Sequence, residues 1–352
     1  MQFAAQPKPP VGVVFDSDMG SRVDTALALA LLYGFDGKNE IRAIALSVTR
    51  SNLNSAAYCD AVGRFYAGPV SAAFGAFART LPVGMATGGK IKDDTPMLTG
   101  PLAKLKADGT PAFPHAVHKL NETADPVAVI RNAFTAQFDE NAIVVIAGPA
   151  SNLARVLALP GAKDLIAHKV RYLVIAAGSY GEGGPVDANV QVDIAAARKL
   201  FEQWPTPVVA VGSEISDSVM FPASSIENDF GWTPDHPVAD AYRAAKPMPY
   251  DAPTRDMAAV LYAARPQEGY FKLSEPGTIT VLPDGRTRFA AAAGGKHRYL
   301  ISDPSQKDRI LKVYTELASA RPVPRQRPRR PQNVDAKAPE ANALVPAEKK
   351  LP

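Results

Sequence analysis

Apolar residues along this chain follow two rhythms. Short unbroken apolar runs bounded by Gly, Pro or Asp read as buried strands; longer segments with apolar residues at helical spacing read as helices. The strand-type runs are Val11–Phe15, Ile41–Val48, Val70–Phe74, Ala142–Ala147, Val170–Ala176 and Pro207–Val211. Between them the pattern predicts helices over Asp24–Tyr33, Asn52–Tyr66, Asp125–Phe138, Ser151–Leu157 and Asp193–Gln203. Pro126 falls at a first helical position, where its missing N–H is harmless. Residues 213–253 read as helical pieces, Thr254–Ala264 as a helix, and Pro304–Ala318 as a closing helix. Gly277–Leu282 and Thr287–Ala290, joined by Pro283-Asp284-Gly285, read as a β-hairpin, with Arg298–Ile301 a further strand. Residues 78–124 show no clear period, which marks a functional loop or lid, or short helices that the pattern hides. Strands alternating with helices predict an α/β fold: a doubly wound, mostly parallel sheet with helices on both faces and a small antiparallel hairpin near the C-terminus.

Composition divides the chain into three parts. Residues 1–10 are Pro-rich and read as a flexible lead-in, 11–319 as one folded domain, and 320–352 as a disordered Pro/Arg-rich tail. The formal charge is +4, but the stretch from Arg321 onward carries eight Lys/Arg and three Asp/Glu, a net +5 that leaves −1 for the rest. The body is therefore near neutral. Its tail has no aromatic residue to stack on bases, which argues against a nucleic-acid partner. No apolar run reaches the ~20 residues of a membrane span. The opening MQFAAQPKPP lacks a charged segment followed by an apolar one, so no intact signal peptide is expected. A cytoplasmic location is the default, and export would require a signal already removed. Cys59 is the single cysteine, which excludes an internal disulfide or a multi-thiolate zinc site and reads as a core residue. The five histidines read as surface or supporting residues.

The candidate chemistry lies in VVFDSDMGSRVDTALALALL, from Val13 to Leu32. A strand ends at Asp16, Asp18 and Gly20, and Asp24 opens a helix. Carboxylates gathered at a strand end repel one another and require a cation or a proton. Hard oxygen ligands favour calcium or magnesium. Local turn and cap bonds are the plainer alternative. Asp256 stands at the start of another helix, and Asn52 opens a helix after a strand, as Asp24 does. Asp187 and Asn189 alternate in VDANVQVD, so in an extended segment they face one way, while Asp193 reads as a helix cap.

These residues fit a known family. DSDMGSRVDTALAL resembles the DTDPG…DDALAL signature of the inosine/uridine-type nucleoside hydrolases. IAGPASNLA is similar to that family's GPLTNLA, TRSN to its AGN, DANVQVDIAAA to its EFNIYVDPEAA, and RDMAAVLYA to its HDPLAVAYA. The order is kept over about residues 11–265, and GYFKLSEPG and HRYLI resemble a bacterial branch. The resemblance implies hydrolysis of an N-glycosidic bond by a calcium-activated water. It implies Asp18 as calcium ligand and base, and Asp256 and the Ala147 carbonyl as further ligands. Asp24, Asn52, Asp187 and Asn189 would hold the riboside, with Asp16 and Arg255 as supports behind the site. A nucleoside or riboside is the implied small-molecule partner, and a homo-oligomer the implied assembly.

The motifs also depart from that pattern. Thr25 takes the metal-ligand place of the second Asp in the DD pair, which removes one charge and lowers the expected calcium affinity. Asp187 stands for Glu, Gly181 for a ribose-binding Asn, and Arg255 for His. These departures keep a non-catalytic sugar- or nucleoside-binding homologue as the alternative. FDSDMG also resembles the DxD of haloacid-dehalogenase phosphatases, with Asp16 as nucleophile, but GPASN and DANVQVD do not fit that class.

Overall fold

A computed structural model describes residues 9–68, 80–181 and 184–323. Seven of its strands run parallel: β1 (Val11–Ser17), β2 (Ile41–Val48), β3 (Val83–Met85), β4 (Ala142–Ala147), β5 (Val170–Ala176), β6 (Val208–Val211) and, late in the chain, β10 (His297–Ser302). Antiparallel partners are β7 (Phe271–Leu273), which pairs with β10, and the hairpin of β8 (Gly277–Val281) and β9 (Thr287–Ala291). The spatial order is β3-β2-β1-β4-β5-β6-β10-β8-β9. Strand order therefore reverses at β1, with β2 on one side and β4 on the other. Such a switch point opens a crevice at the carboxyl ends of the strands, where α/β sheets bind ligands.

The apolar runs read as buried strands because both faces are covered. Successive residues split between two cores: Val13 and Phe15 join one and Val14 the other, and Val145 and Ala147 part from Val144 and Ile146 in the same way. The first core holds α1 (Val23–Gly37), α2 (Leu53–Ala67), α10 (Pro237–Ala245), α11 (Arg255–Ala264) and α12 (Lys307–Ala318). The second holds α4 (Pro126–Thr135), α5 (Ser151–Val156), α6 (Ala162–Lys169) and α8 (Ile194–Gln203). Helix α1 packs against β2, α11 and α12, so Ala26 to Leu32 are all fully buried. Fully burying a leucine stabilises by ~1.5–3 kcal/mol, so the helix that presents Asp24 and Thr25 is firmly seated.

The predicted α/β architecture is the observed one, and the differences are local. The expected strand Val70–Phe74 lies outside the described residues, as do residues 1–8 and 324–352. The unpatterned stretch contains β3 and α3 (Pro96–Ala103), both too short to show a period. Arg298–Ile301 belongs to β10, which joins the parallel sheet beside β6 rather than extending the hairpin alone. Asp187 to Val192 is not extended: Asp187 caps the short helix α7 (Ala188–Val192), accepting from the Val190 N–H at 3.1 Å. Among the histidines, His236 and His297 are buried rather than surface residues. Cys59 is a core residue whose thiol burial pushes up in pKa. No helix among the described residues is long and apolar enough to cross a membrane.

Candidate functional site

The turn after β1 is set by two glycines. Gly20 has φ +105°, and a Cβ there would lie 2.5 Å from Leu98 Cδ1. A Cβ at Gly148, just past β4, would lie 2.6 Å from the Asp18 backbone nitrogen. The two strand ends thus close on each other, and the Asp18 N–H donates to the Ala147 carbonyl at 3.2 Å. Asp16 is buried and its Oδ1 accepts from Ser47 Oγ at 2.5 Å and from Asn152 Nδ2 at 2.8 Å. Its other oxygen has no partner. Burial lifts Asp16 to a pKa of about 7, against the pull of those two bonds. Asp18 is also buried with an unpartnered Oδ1. Burial raises its pKa, the positive charge of Arg22 opposes this, and the charge of Asp256 adds to the rise.

Asp24 and Thr25 meet the start of α11. Both Asp24 oxygens accept backbone hydrogen bonds, Oδ2 from Asp256 N at 2.6 Å and Oδ1 from Met257 N at 3.2 Å. Asp24 therefore caps a helix 232 positions away rather than its own, satisfying N–H groups that a helix start leaves free. Burial and the neighbouring Asp256 charge still hold its pKa well above the usual carboxylate range. The Thr25 hydroxyl donates to Asp256 Oδ2 at 2.6 Å, and Asp256 Oδ1 stays buried without a partner.

On the far side of the crevice, Arg255 donates to Asp187 Oδ2 at 2.5 Å, to the Val211 carbonyl at 2.9 Å and to the Gly178 carbonyl at 3.1 Å. This buried ion pair clamps the ends of β5 and β6 to α7. Asn189 Nδ2 donates to the Ala176 carbonyl at 2.7 Å, and its Oδ1 accepts from Arg22 Nη2 at 3.1 Å. Asn52 Oδ1 caps α2 through Asn54 N and Ser55 N, and its Nδ2 donates to the Lys92 carbonyl. Gly181 is exposed.

Two arginines of this site escaped the sequence reading. The charges of Asp256, Asp18, Asp24 and Asp187 act on Arg22; burial lowers its pKa, but those four outweigh it and leave the pKa raised. Arg50, after β2, donates to Ser21 Oγ at 2.8 Å and to the Asp93 carbonyl. The available signal was a basic residue inside an acidic turn, which is compensation rather than chance when the carboxylates are buried.

The donors can be tested against a calcium ion, which takes six to eight oxygens. Of the expected ligands, Thr25 supplies a neutral hydroxyl in place of a carboxylate and is bonded to Asp256 Oδ2, which leaves Asp18 and Asp256 as the two charged donors. Among the described residues no group of three or more His, Cys, Asp or Glu is placed to hold a metal ion. This donor set does not fit calcium.

A buried carboxylate cluster at the switch point of a doubly wound sheet defines an α/β protein with a polar-ligand crevice. The sequence profile of the inosine-uridine preferring nucleoside hydrolases matches residues 13–321, and the chain belongs to that family. Membership displaces the phosphatase reading of FDSDMG. No curated protein matches the sequence. In structure the chain is similar to a plant nucleoside hydrolase, the PpNRh1 enzyme, at 19% identity and TM-score 0.63, covering 89% of this chain and 100% of the other. It is similar to the purine-preferring ribonucleoside hydrolase from Gardnerella vaginalis at 18% identity and TM-score 0.63, covering 88% and 98%. It is similar to the type III effector protein XopQ complexed with adenosine diphosphate ribose at 15% identity and TM-score 0.61, covering 89% and 96%.

Proposed function

We propose that the protein hydrolyses the N-glycosidic bond of a ribonucleoside or related N-riboside, with Asp18 as the base. The observation that carries this is the free, buried Asp18 Oδ1 just past the strand where the sheet order reverses, under the charge of Asp256, in a chain of the nucleoside hydrolase family. A carboxylate whose pKa is raised by burial is a stronger proton acceptor than one in water. Asp18 takes a proton from water. The water oxygen bonds to the anomeric carbon while the carbon–nitrogen bond breaks, its electron pair leaving with the base. Positive charge developing on the ribosyl ring faces Asp18, Asp24 and Asp256. Asn189 and Asp187 border the sugar, and Arg255 positions Asp187. No step is routed through calcium, because the donors do not fit it.

Ribose release, measured as reducing sugar over a panel of purine and pyrimidine nucleosides, tests this reading. Inosine or uridine should be cleaved, and Asp18→Asn should abolish cleavage. A second reading, riboside binding without turnover, is favoured by two contacts: Thr25 on Asp256 and Arg22 on Asn189. XopQ, of the same fold, holds adenosine diphosphate ribose, which supports a riboside ligand under either reading. A panel that yields no reducing sugar while ribose raises the melting temperature selects the second.

A further inference from the structure

A cluster of buried carboxylates needs a counter-charge, and this chain carries one of its own. We propose that the guanidinium of Arg22 is the resident cation of the riboside site, so that the site takes its ligand without a divalent metal. This rests on the riboside reading and deepens it.

Three observations converge. Arg22 projects from the turn before α1 and bonds Asn189 Oδ1 at 3.1 Å, on the opposite wall of the crevice. Asp256, Asp18, Asp24 and Asp187 all act on its charge. Of the ligands a metal would use, Thr25 brings a neutral hydroxyl where the family has a carboxylate and is bonded to Asp256 Oδ2, and among the described residues no three His, Cys, Asp or Glu are grouped to hold a metal ion. Asp18 Oδ1 and Asp256 Oδ1 are buried with no hydrogen-bond partner. Two open oxygens beside a fixed positive charge suit hydroxyl groups and a water, and the guanidinium weakens their attraction for a divalent ion.

The charge balance agrees. Exchanging a divalent ion for a guanidinium removes one positive charge. Thr25 in place of the family's Asp removes one negative charge. These two changes offset each other, and the cation becomes covalently tethered; Arg255 in place of His adds a positive charge that its own partner Asp187 answers. A guanidinium is planar, permanently charged and carries five N–H donors. With one N–H on Asn189, the remaining donors are left for a ligand, and vicinal hydroxyls of a ribosyl ring would bridge Arg22 and the open oxygens.

The full-length protein, stripped with EDTA and desalted, is titrated calorimetrically with calcium chloride. Its melting temperature is then followed with ribose in the presence of either EDTA or calcium. The unaltered protein should bind no calcium, and the ribose-dependent rise in melting temperature should be the same in both solutions. Arg22→Met should weaken ribose at least an order of magnitude, and calcium should not restore it. Arg22→Asp combined with Thr25→Asp should gain calcium binding and a calcium-dependent rise. Stoichiometric calcium on the unaltered protein overturns the proposal, as does full ribose affinity in Arg22→Met. The unaltered protein's titration decides even where the double variant does not fold. Failure of every riboside to shift the melting temperature removes the functional reading, while the calcium titration still judges the cation by itself.

Discussion

The Thr25 hydroxyl donates to Asp256 Oδ2 at 2.6 Å, joining the first turn of α1 to the first turn of α11 across 231 positions of sequence. A carboxylate at residue 25 would repel Asp256 unless a cation lay between them. The hydroxyl bonds to it directly, so Thr25 fastens Asp256 in place.

That bond has a measurable consequence. Thr25→Val keeps the shape and removes the donor, leaving a buried carboxylate oxygen unsatisfied. The loss should be about 1–3 kcal/mol of folding stability, read from urea unfolding. A variant as stable as the parent would mean the Thr25–Asp256 bond contributes nothing.

Asp18→Asn separates chemistry from binding. It retains the side-chain volume but cannot accept a proton, so ribose release should fall at least ~10²-fold, the lower range for loss of a general base. Stabilisation by ribose should survive. Undiminished release would assign the base to another residue.

The buried Arg255–Asp187 pair predicts asymmetry between single and double changes. Removing one partner strands the other charge, so Asp187→Ala should cost about 3–5 kcal/mol. Replacing both residues by apolar ones should be the milder change. The comparison is made by chemical denaturation, and a double variant less stable than either single one would contradict it.

His236 predicts an acid-sensitive fold. It is buried in a cage of Phe65, Tyr66, Phe230 and Trp232, and its Nδ1 accepts from Val238 N at the start of α10. Burial pushes its pKa down to about 3 from 6.5. The unfolded chain therefore takes up a proton below pH ~6.5 while the folded one does not, and stability falls by up to ~1.4 kcal/mol per pH unit toward pH 3. His236→Asn can still accept at the helix start but does not titrate. Its stability should be less steep between pH 7 and 5, and equal slopes would refute a neutral buried imidazole.

The amino-acid sequence alone determined the α/β class, most strand and helix positions, and the acidic turn at Asp16 and Asp18. Those follow from apolar period and local caps, which are properties of neighbouring residues; Asp193 was legible as a cap in the same way, and it accepts from Ala196 N. Only the tertiary structure decided that Asp24 caps α11, that Thr25 holds Asp256, that His236 is buried and that Arg22 bonds Asn189. The reason is physical. Where a long polar side chain points, and which charge it meets, depends on strand order bringing distant segments to one crevice, and no local period records that order.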